Sequence, residues 1–410
     1  MYQKSLKSKL FLAVIFIFYI LIFGCSKKNV GSETKAIQDK PLFDFQSQLL
    51  EIAFETAGSI PVNPYIKDRS KAQELVVLTC LELDQPQRAS LYIEKIEDWR
   101  KGVCYAELAD YYVKHNFPKE AERYLELAQN VAEQDHRQTW RNNRITAKIA
   151  RVKRNLGKSQ QMENPAEDMA QEQINQTAEV NEVTKTGLSF EEQVKALEEL
   201  IRTGNFEVAK NLLFVYAQLY DRYYGNLEKR SLIEENIKNS YVKVPVFIQV
   251  DLLVVLAESA LRHSDKSQTI AFINEAQQLI ESQQLTLEYR TPMMAKLIKL
   301  HFRADDIEKA WVDLQEELDL FNSQKYLLTD ITRAKALRPI AELYQFMGDT
   351  QGSLSIYKQV IEEGVQNPNT RPRAEDLSAT CCSMAFYAVE PDAQLWIRIK
   401  QIIGELGHPW

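Results

Sequence analysis

One spacing recurs along this chain and restricts its fold more than any other feature: two small residues twelve positions apart, each inside an amphipathic run. Leu108-Ala109-x-x-Tyr112 is followed by Ala121, Leu125 and Ala128, and the spacing returns as Leu256-Ala257-x-x-Ala260 with Thr269, Ile273 and Ala276. A third copy reads Ile340-Ala341-x-x-Tyr344 with Gly348, Ser353, Tyr357 and Val360. Weaker copies centre on Val77 with Ala89, Ala150 with Met162, Leu197 with Ala209, Ile298 with Ala310 and Cys381 with Ala393. A second register supports the first, since Arg333-Ala334-x-x-Leu337-x-x-Ile340-Ala341 recurs forty residues later as Arg373-Ala374-x-x-Leu377-x-x-Thr380-Cys381. Within each unit apolar residues at i, i+3, i+4 and i+7 mark one helix face, a polar turn such as His115-Asn116-Phe117-Pro118 follows, and a second helix begins. Small residues at the crossing let the two helix axes approach.

This pattern resembles the tetratricopeptide repeat, a helix-turn-helix unit with small residues at the crossing and an aromatic late in the first helix. The resemblance implies an all-α fold, an α-solenoid of stacked antiparallel helix pairs, with a concave groove of first helices that takes peptides or helices of partners. Successive units are spaced mostly by 40 to 43 residues, against about 34 in the family. The interval from Ala209 to Thr269 has room for one further helix. Only 13 Gly and 13 Pro in 410 residues suit helix pairs joined by turns that seldom need either.

Two helical blocks are expected, 42–157 and 190–410, with a helix over 42–56 capping the first. Residues 158–189 hold no aromatic side chain, six acids and two lysines. Such a stretch cannot bury enough apolar area to offset ordering at about 1–2 kcal/mol per residue, so a disordered acidic linker is expected there. A formal charge of -7 removes the counterion-release drive for nucleic acid.

The amino terminus carries Lys4, Lys7 and Lys9, then a wholly apolar run over 10–23, then Gly24-Cys25-Ser26. At 1.5 Å per residue that run spans about 21 Å, short of a hydrocarbon core of about 30 Å, which favours a signal peptide over 1–24. Ile22-Phe23-Gly24-Cys25 resembles the lipobox of bacterial lipoproteins. The resemblance implies cleavage before Cys25, acylation of its thiol and new amino group, and a lipid-anchored protein on the exported face of the cell envelope, in the outer membrane where the organism has one. Residues 25–41, polar and without aromatics up to the first helix, read as a tether.

Residues able to carry chemistry are scattered. Cys80, Cys104, Cys381 and Cys382 form no C-x-x-C and have no histidine at ligand spacing, so buried apolar packing is the expectation and no metal or cofactor is predicted. A Cys80–Cys104 disulfide stays open. Five histidines lack H-E-x-x-H and a Ser-Asp partner; His115 and His263 share one turn position. Asp305-Asp306 and Glu316-Glu317 read as solvated helix faces, and Tyr216, Tyr220, Tyr223 and Tyr224 as packing for the additional helix, with a ligand platform as the alternative.

Projection of the first helices selects Arg262, Lys299, Phe302, Arg303, Arg338, Glu342, Phe346 and Phe386 as the wall of the groove. A basic, aromatic wall suits an acidic or carboxylate-ended peptide; otherwise these side chains bridge neighbouring repeats and bind nothing. The resulting expectation is a membrane-anchored lipoprotein, not an enzyme, that acts as a protein–protein interaction scaffold. A passive surface lipoprotein and an accessory subunit of an envelope enzyme complex are the alternatives.

Overall fold

Six first helices end in one local geometry, which explains both the pairing of helices and the shortage of glycine. In the computed structural model, which describes residues 37–134, 139–157, 189–203, 206–241 and 243–407, Asp84, Asn116, Ser264, Asp305, Gly348 and Ala388 have φ between 53° and 93°. The next residue of each donates its amide hydrogen five positions back: Gln85 to Cys80, Phe117 to Tyr112, Asp265 to Ala260, Asp306 to His301, Asp349 to Tyr344 and Val389 to Met384, at 2.8–3.0 Å. This closure satisfies the terminal carbonyls of the first helix and turns the chain toward the second. Five of the six left-handed residues are not glycine.

The described residues form 17 α-helices packed in adjacent pairs. In the first block α1 (Asp44–Gly58) precedes α2 and α3 (Val62–Glu82, Pro86–Glu94), α4 and α5 (Arg100–Lys114, Pro118–Gln134), and α6 (Thr139–Asn155). In the second, α7 (Phe190–Thr203) precedes α8 and α9 (Phe206–Arg222, Leu227–Tyr241), α10 and α11 (Val246–Arg262, Lys266–Glu281), and α12 and α13 (Leu287–Arg303, Ile307–Gln324). Then come α14 and α15 (Asp330–Phe346, Thr350–Gly364) and α16 and α17 (Thr370–Phe386, Ala393–Glu405).

The twelve-residue pairs are the crossing points. Ala109 and Ala121, Ala257 and Thr269, and Ala341 and Ser353 are all fully buried. Where the second residue carries a hydroxyl it donates back across the crossing, Thr269 Oγ1 to the Ala257 carbonyl at 3.4 Å and Ser353 Oγ to that of Ala341 at 2.8 Å. The long interval is filled by α9. Asp221 near the end of α8 accepts from Ser259 and Arg262 of α10, at 2.6 and 2.9 Å, so α8 holds a first-helix place and α7 is the surplus helix.

One of the weaker repeats, Cys381 with Ala393, requires correction: Cys381 is buried, but Ala393 is exposed at the start of α17. The helix lying along α16 is α1, from the other end of the chain. Ser378 donates to the carbonyl of Ala53, and Gln46 Nε2 to that of Ala385, which fixes α1 antiparallel to α16. Ala57, Ile60, Ala72, Ala374 and Leu406 share one buried cluster, drawing α1, α2 and α16 together with the end of α17. The helix expected to cap the first block instead joins it to the second, and the described residues from Gln38 onward belong to one compact unit.

The expected tether is shorter than its assignment. Asp39 accepts from the amides of Gln87 and Arg88 at 2.7 and 3.1 Å, and the Lys40 amide donates to the Asp84 carbonyl at 3.0 Å, so these residues are bound to the α2–α3 turn. The signal segment, Cys25 and the linker over 158–188 lie outside the described residues.

Candidate functional site

First helices of neighbouring repeats run parallel, and ion pairs between them show it. Asp251 of α10 meets Lys296 of α12 at 2.5 Å, and two turns further along the same helices Glu258 meets Arg303 at 3.1 Å. Asp221 and Arg262 at 2.9 Å link α8 to α10; Glu288 and Lys335 at 3.5 Å link α12 to α14; Arg338 and Asp376 at 3.4 Å link α14 to α16. A long basic side chain therefore reaches across one rung to a carboxylate. This engages Arg262, Arg303 and Arg338, three of the residues projected onto the wall, inside the repeat stack. Arg338 also donates to Thr380 Oγ1 at 3.3 Å, so it is a strut rather than a free surface charge.

The other projected residues converge. Lys299 lies over the Phe346 ring at 4.4 Å and reaches that of Tyr387 at 6.0 Å, while Phe302 meets Phe346 edge to face at 5.6 Å. Glu342 accepts from Ser383 Oγ at 2.6 Å, and burial raises its carboxyl above the usual range, against the weaker pull of Arg338 and Lys299. Phe386, 41% exposed, stacks edge to face on Tyr387 at 5.0 Å, and Tyr387 takes the place in the wall that spacing assigned to Phe386.

Two clefts meet at this point. One, of about 470 Å³, runs over α8, α10 and α12 between Phe214, Asp251, Glu258, Lys299 and Arg303. The second, of about 270 Å³, continues over α12 and α14 between Pro292, Lys299, Pro339, Glu342, Phe346 and Tyr387. Lys296 and Lys299 line both.

In its described residues the chain is an all-helical repeat protein. No family model matches it, and no curated protein does. A solved structure described as a circular tandem repeat protein with novel repeat topology and enhanced subunit contact surfaces covers 89% of this chain and 95% of its own, at 16% identity and a TM-score of 0.28.

Elsewhere the polar residues explain themselves as packing, with two corrections. Asp305 and Glu316 are exposed as expected, but Asp306 binds the buried His301 Nδ1 at 2.9 Å, and Glu317 is buried against Arg290 at 2.7 Å. Burial raises the Glu317 carboxyl, and the Arg290 charge partly offsets this. Spacing missed both because their partners lie a turn or a helix away. Tyr216 and Tyr220 are fully buried, and Tyr224 stacks on His263 at 4.3 Å as Tyr111 does on His115 at 4.0 Å, which fits the packing reading. Cys80, Cys104, Cys381 and Cys382 are buried free thiols, and burial pushes Cys382 up to about 12. Among the described residues no cluster of His, Cys, Asp or Glu could hold a metal ion, and no helix is long and apolar enough to cross a membrane.

Proposed function

We propose that this chain is a lipid-anchored protein of the bacterial cell envelope whose tetratricopeptide-like α-solenoid is a non-catalytic scaffold for a protein or peptide partner. The observation that carries this reading is the pair of clefts that run on from α8 to α14 and share Lys296 and Lys299. A surface assembled from successive repeats fits an elongated ligand, because each rung adds contacts along one direction. The anchor rests on the basic start, the apolar run over 10–23 and Cys25. Each buried methylene of an acyl chain contributes about 0.8 kcal/mol, so two or three chains on that residue make a durable anchor.

Photo-crosslinking in cells separates a scaffold from a spacer. A crosslinker at Phe346 is expected to capture a discrete partner that one at the exposed Ile397 does not; identical products from both positions would remove the groove from the reading. An envelope enzyme among the captured proteins would specify an accessory-subunit role. Mass spectrometry of the mature amino terminus is expected to show acylated Cys25, and an unmodified soluble product would contradict the anchor. A passive surface lipoprotein is the second reading, favoured by the engagement of Arg262, Arg303 and Arg338 in rung-to-rung ion pairs.

A further inference from the structure

A pair of thiols lies where the two ends of the chain meet. Along that seam α2 and α16 run parallel. Asp68 and Tyr65, early in α2, meet Arg371 at the start of α16, the carboxylate at 3.7 Å and the ring at 5.2 Å. Ala72 and Ala374 follow in one buried cluster. At the far ends, Glu82 of α2 joins burial and Glu342 in raising the hydroxyl of Tyr387, just past α16. In this register Cys80 stands eight residues beyond Ala72, and Cys382 eight beyond Ala374. Equal numbers of residues climb equally along parallel helices, about 12 Å here at 1.5 Å each, so the two cysteines reach one level.

Their surroundings agree. Both side chains are buried. Burial raises the Cys382 thiol, and the Thr79 hydroxyl of α2, hydrogen-bonded to it, opposes this. Burial raises Cys80 as well, and after burial the strongest influence on it is Cys382. The other pairings fit worse. After burial the groups acting on Cys104 are Glu74, Arg100, Asp98 and Lys148, whereas those acting on Cys80 are Cys382, Arg88 and Asp39, so these two thiols occupy different places. Cys381 and Cys382 are neighbours within α16. Adjacent Cα atoms are about 3.8 Å apart, below the about 4.4–6.8 Å that a disulfide spans.

We propose that Cys80 and Cys382 are a disulfide-forming pair that fastens the first block to the second across the seam. The oxidant is a small disulfide such as glutathione disulfide. One cysteine gives up its proton and attacks it, expelling a glutathione thiolate that takes up the proton; the second cysteine then does the same to the mixed disulfide. One S–S bond forms between the cysteines as that of glutathione is lost, so two cysteine sulfurs are oxidised and two glutathione thiols are the reduced product. Only a thiolate attacks, and burial holds both groups protonated. The bond therefore forms while the seam assembles or opens, and it resists reduction once the seam has closed.

The test uses full-length protein in detergent, carrying Cys25→Ala and a protease site inserted between residues 158 and 188. It is treated with glutathione disulfide both in native buffer and during refolding from urea, capped with iodoacetamide, cut, and run in SDS with and without reductant. Cys80 and Cys382 then lie on different fragments, so only a bond between the blocks holds the fragments together in SDS. One linked band is expected without reductant and two separate fragments with it. Cys80→Ala and Cys382→Ala should each abolish the linked band, and Cys104→Ala and Cys381→Ala should leave it. Separate fragments without reductant after both treatments overturn the inference. A linked band that survives Cys80→Ala or Cys382→Ala overturns it too, since another pairing then carries the bond.

Discussion

Ser378 and Ala53, 325 positions apart, are joined by a hydrogen bond of 2.9 Å from the serine hydroxyl to the alanine carbonyl. The bond marks a seam where the first block closes on the second without covalent continuity. Gln46 and Ala385 extend it at 2.7 Å, and Ala57, Ala72 and Ala374 let the helices approach closely. Cutting a protease site inserted between residues 158 and 188 is therefore expected to leave the two fragments co-eluting in size-exclusion chromatography. Separate elution would show that the seam is too weak to hold them. Ala374→Leu, which adds three carbons to a fully buried site, should destabilise the nicked complex by about 1–3 kcal/mol in urea unfolding.

Opposite changes at two equivalent turns should act in opposite directions. Ala388 has φ 53° and Gly348 has φ 93°, each at the left-handed position after its first helix. A Cβ meets the backbone in that conformation at a cost of about 1–2 kcal/mol. Nothing lies within 4 Å of the position a Cβ would take at Gly348, so strain alone decides the outcome there. Ala388→Gly is expected to raise the unfolding free energy by about 0.5–1 kcal/mol, net of the entropy of the freer unfolded chain. Gly348→Ala should lower it by about 1 kcal/mol. The same sign for both would refute the strain argument.

These turns also show what the sequence makes legible. The crossing pairs Ala257/Thr269 and Ala341/Ser353 could be read because adjacent helices of one hairpin impose a constant chain separation on their contact. The seam could not: α1 and α16 meet across more than 300 residues, and no period connects Ala53 with Ser378. The groove falls between these cases. Helical projection found Lys299, Phe302, Glu342 and Phe346, but not that Arg262, Arg303 and Arg338 had counter-charges one rung away. A signal existed, since Asp251 with Lys296 and Glu258 with Arg303 share a separation of 45 residues. It is visible only to a search for opposite charges at the repeat period. Tyr387, Pro292 and Pro339 were missed because none of them holds a position that the repeat motif specifies; Pro339 falls on an unspecified place between Leu337 and Ile340.

Two arginines projected onto the same wall should differ sharply in what they do for stability. Arg338 is largely buried and holds Asp376 and Thr380 of the next repeat. Arg303 and Glu258 are each 39% exposed, where an ion pair contributes about 0–1 kcal/mol. Arg338→Ala strands a buried carboxylate and is expected to cost about 3 kcal/mol at pH 7, whereas Arg303→Ala should change stability by less than about 1 kcal/mol. Equal losses in thermal unfolding would mean that the two guanidinium groups play the same part.

The partner of Arg338 carries a pH dependence whose sign is fixed by burial. Asp376 is pushed up to about 6, with burial the main cause and the Arg338 charge opposing it. Between about pH 4 and 6 the folded protein holds a proton on this group that the unfolded chain, titrating at about 3.9, has released. Stability from this group is therefore greatest below about pH 4 and is lost as pH rises through about 6. Two pKa units correspond to about 3 kcal/mol at most. In Asp376→Asn the titration is absent while the shape is kept. The wild-type minus variant difference in unfolding free energy is expected to fall by about 2–3 kcal/mol from pH 4 to pH 7 and then level off. A difference that grew with pH would place the Asp376 carboxylate in a pairing with Arg338 strong enough to outweigh its burial.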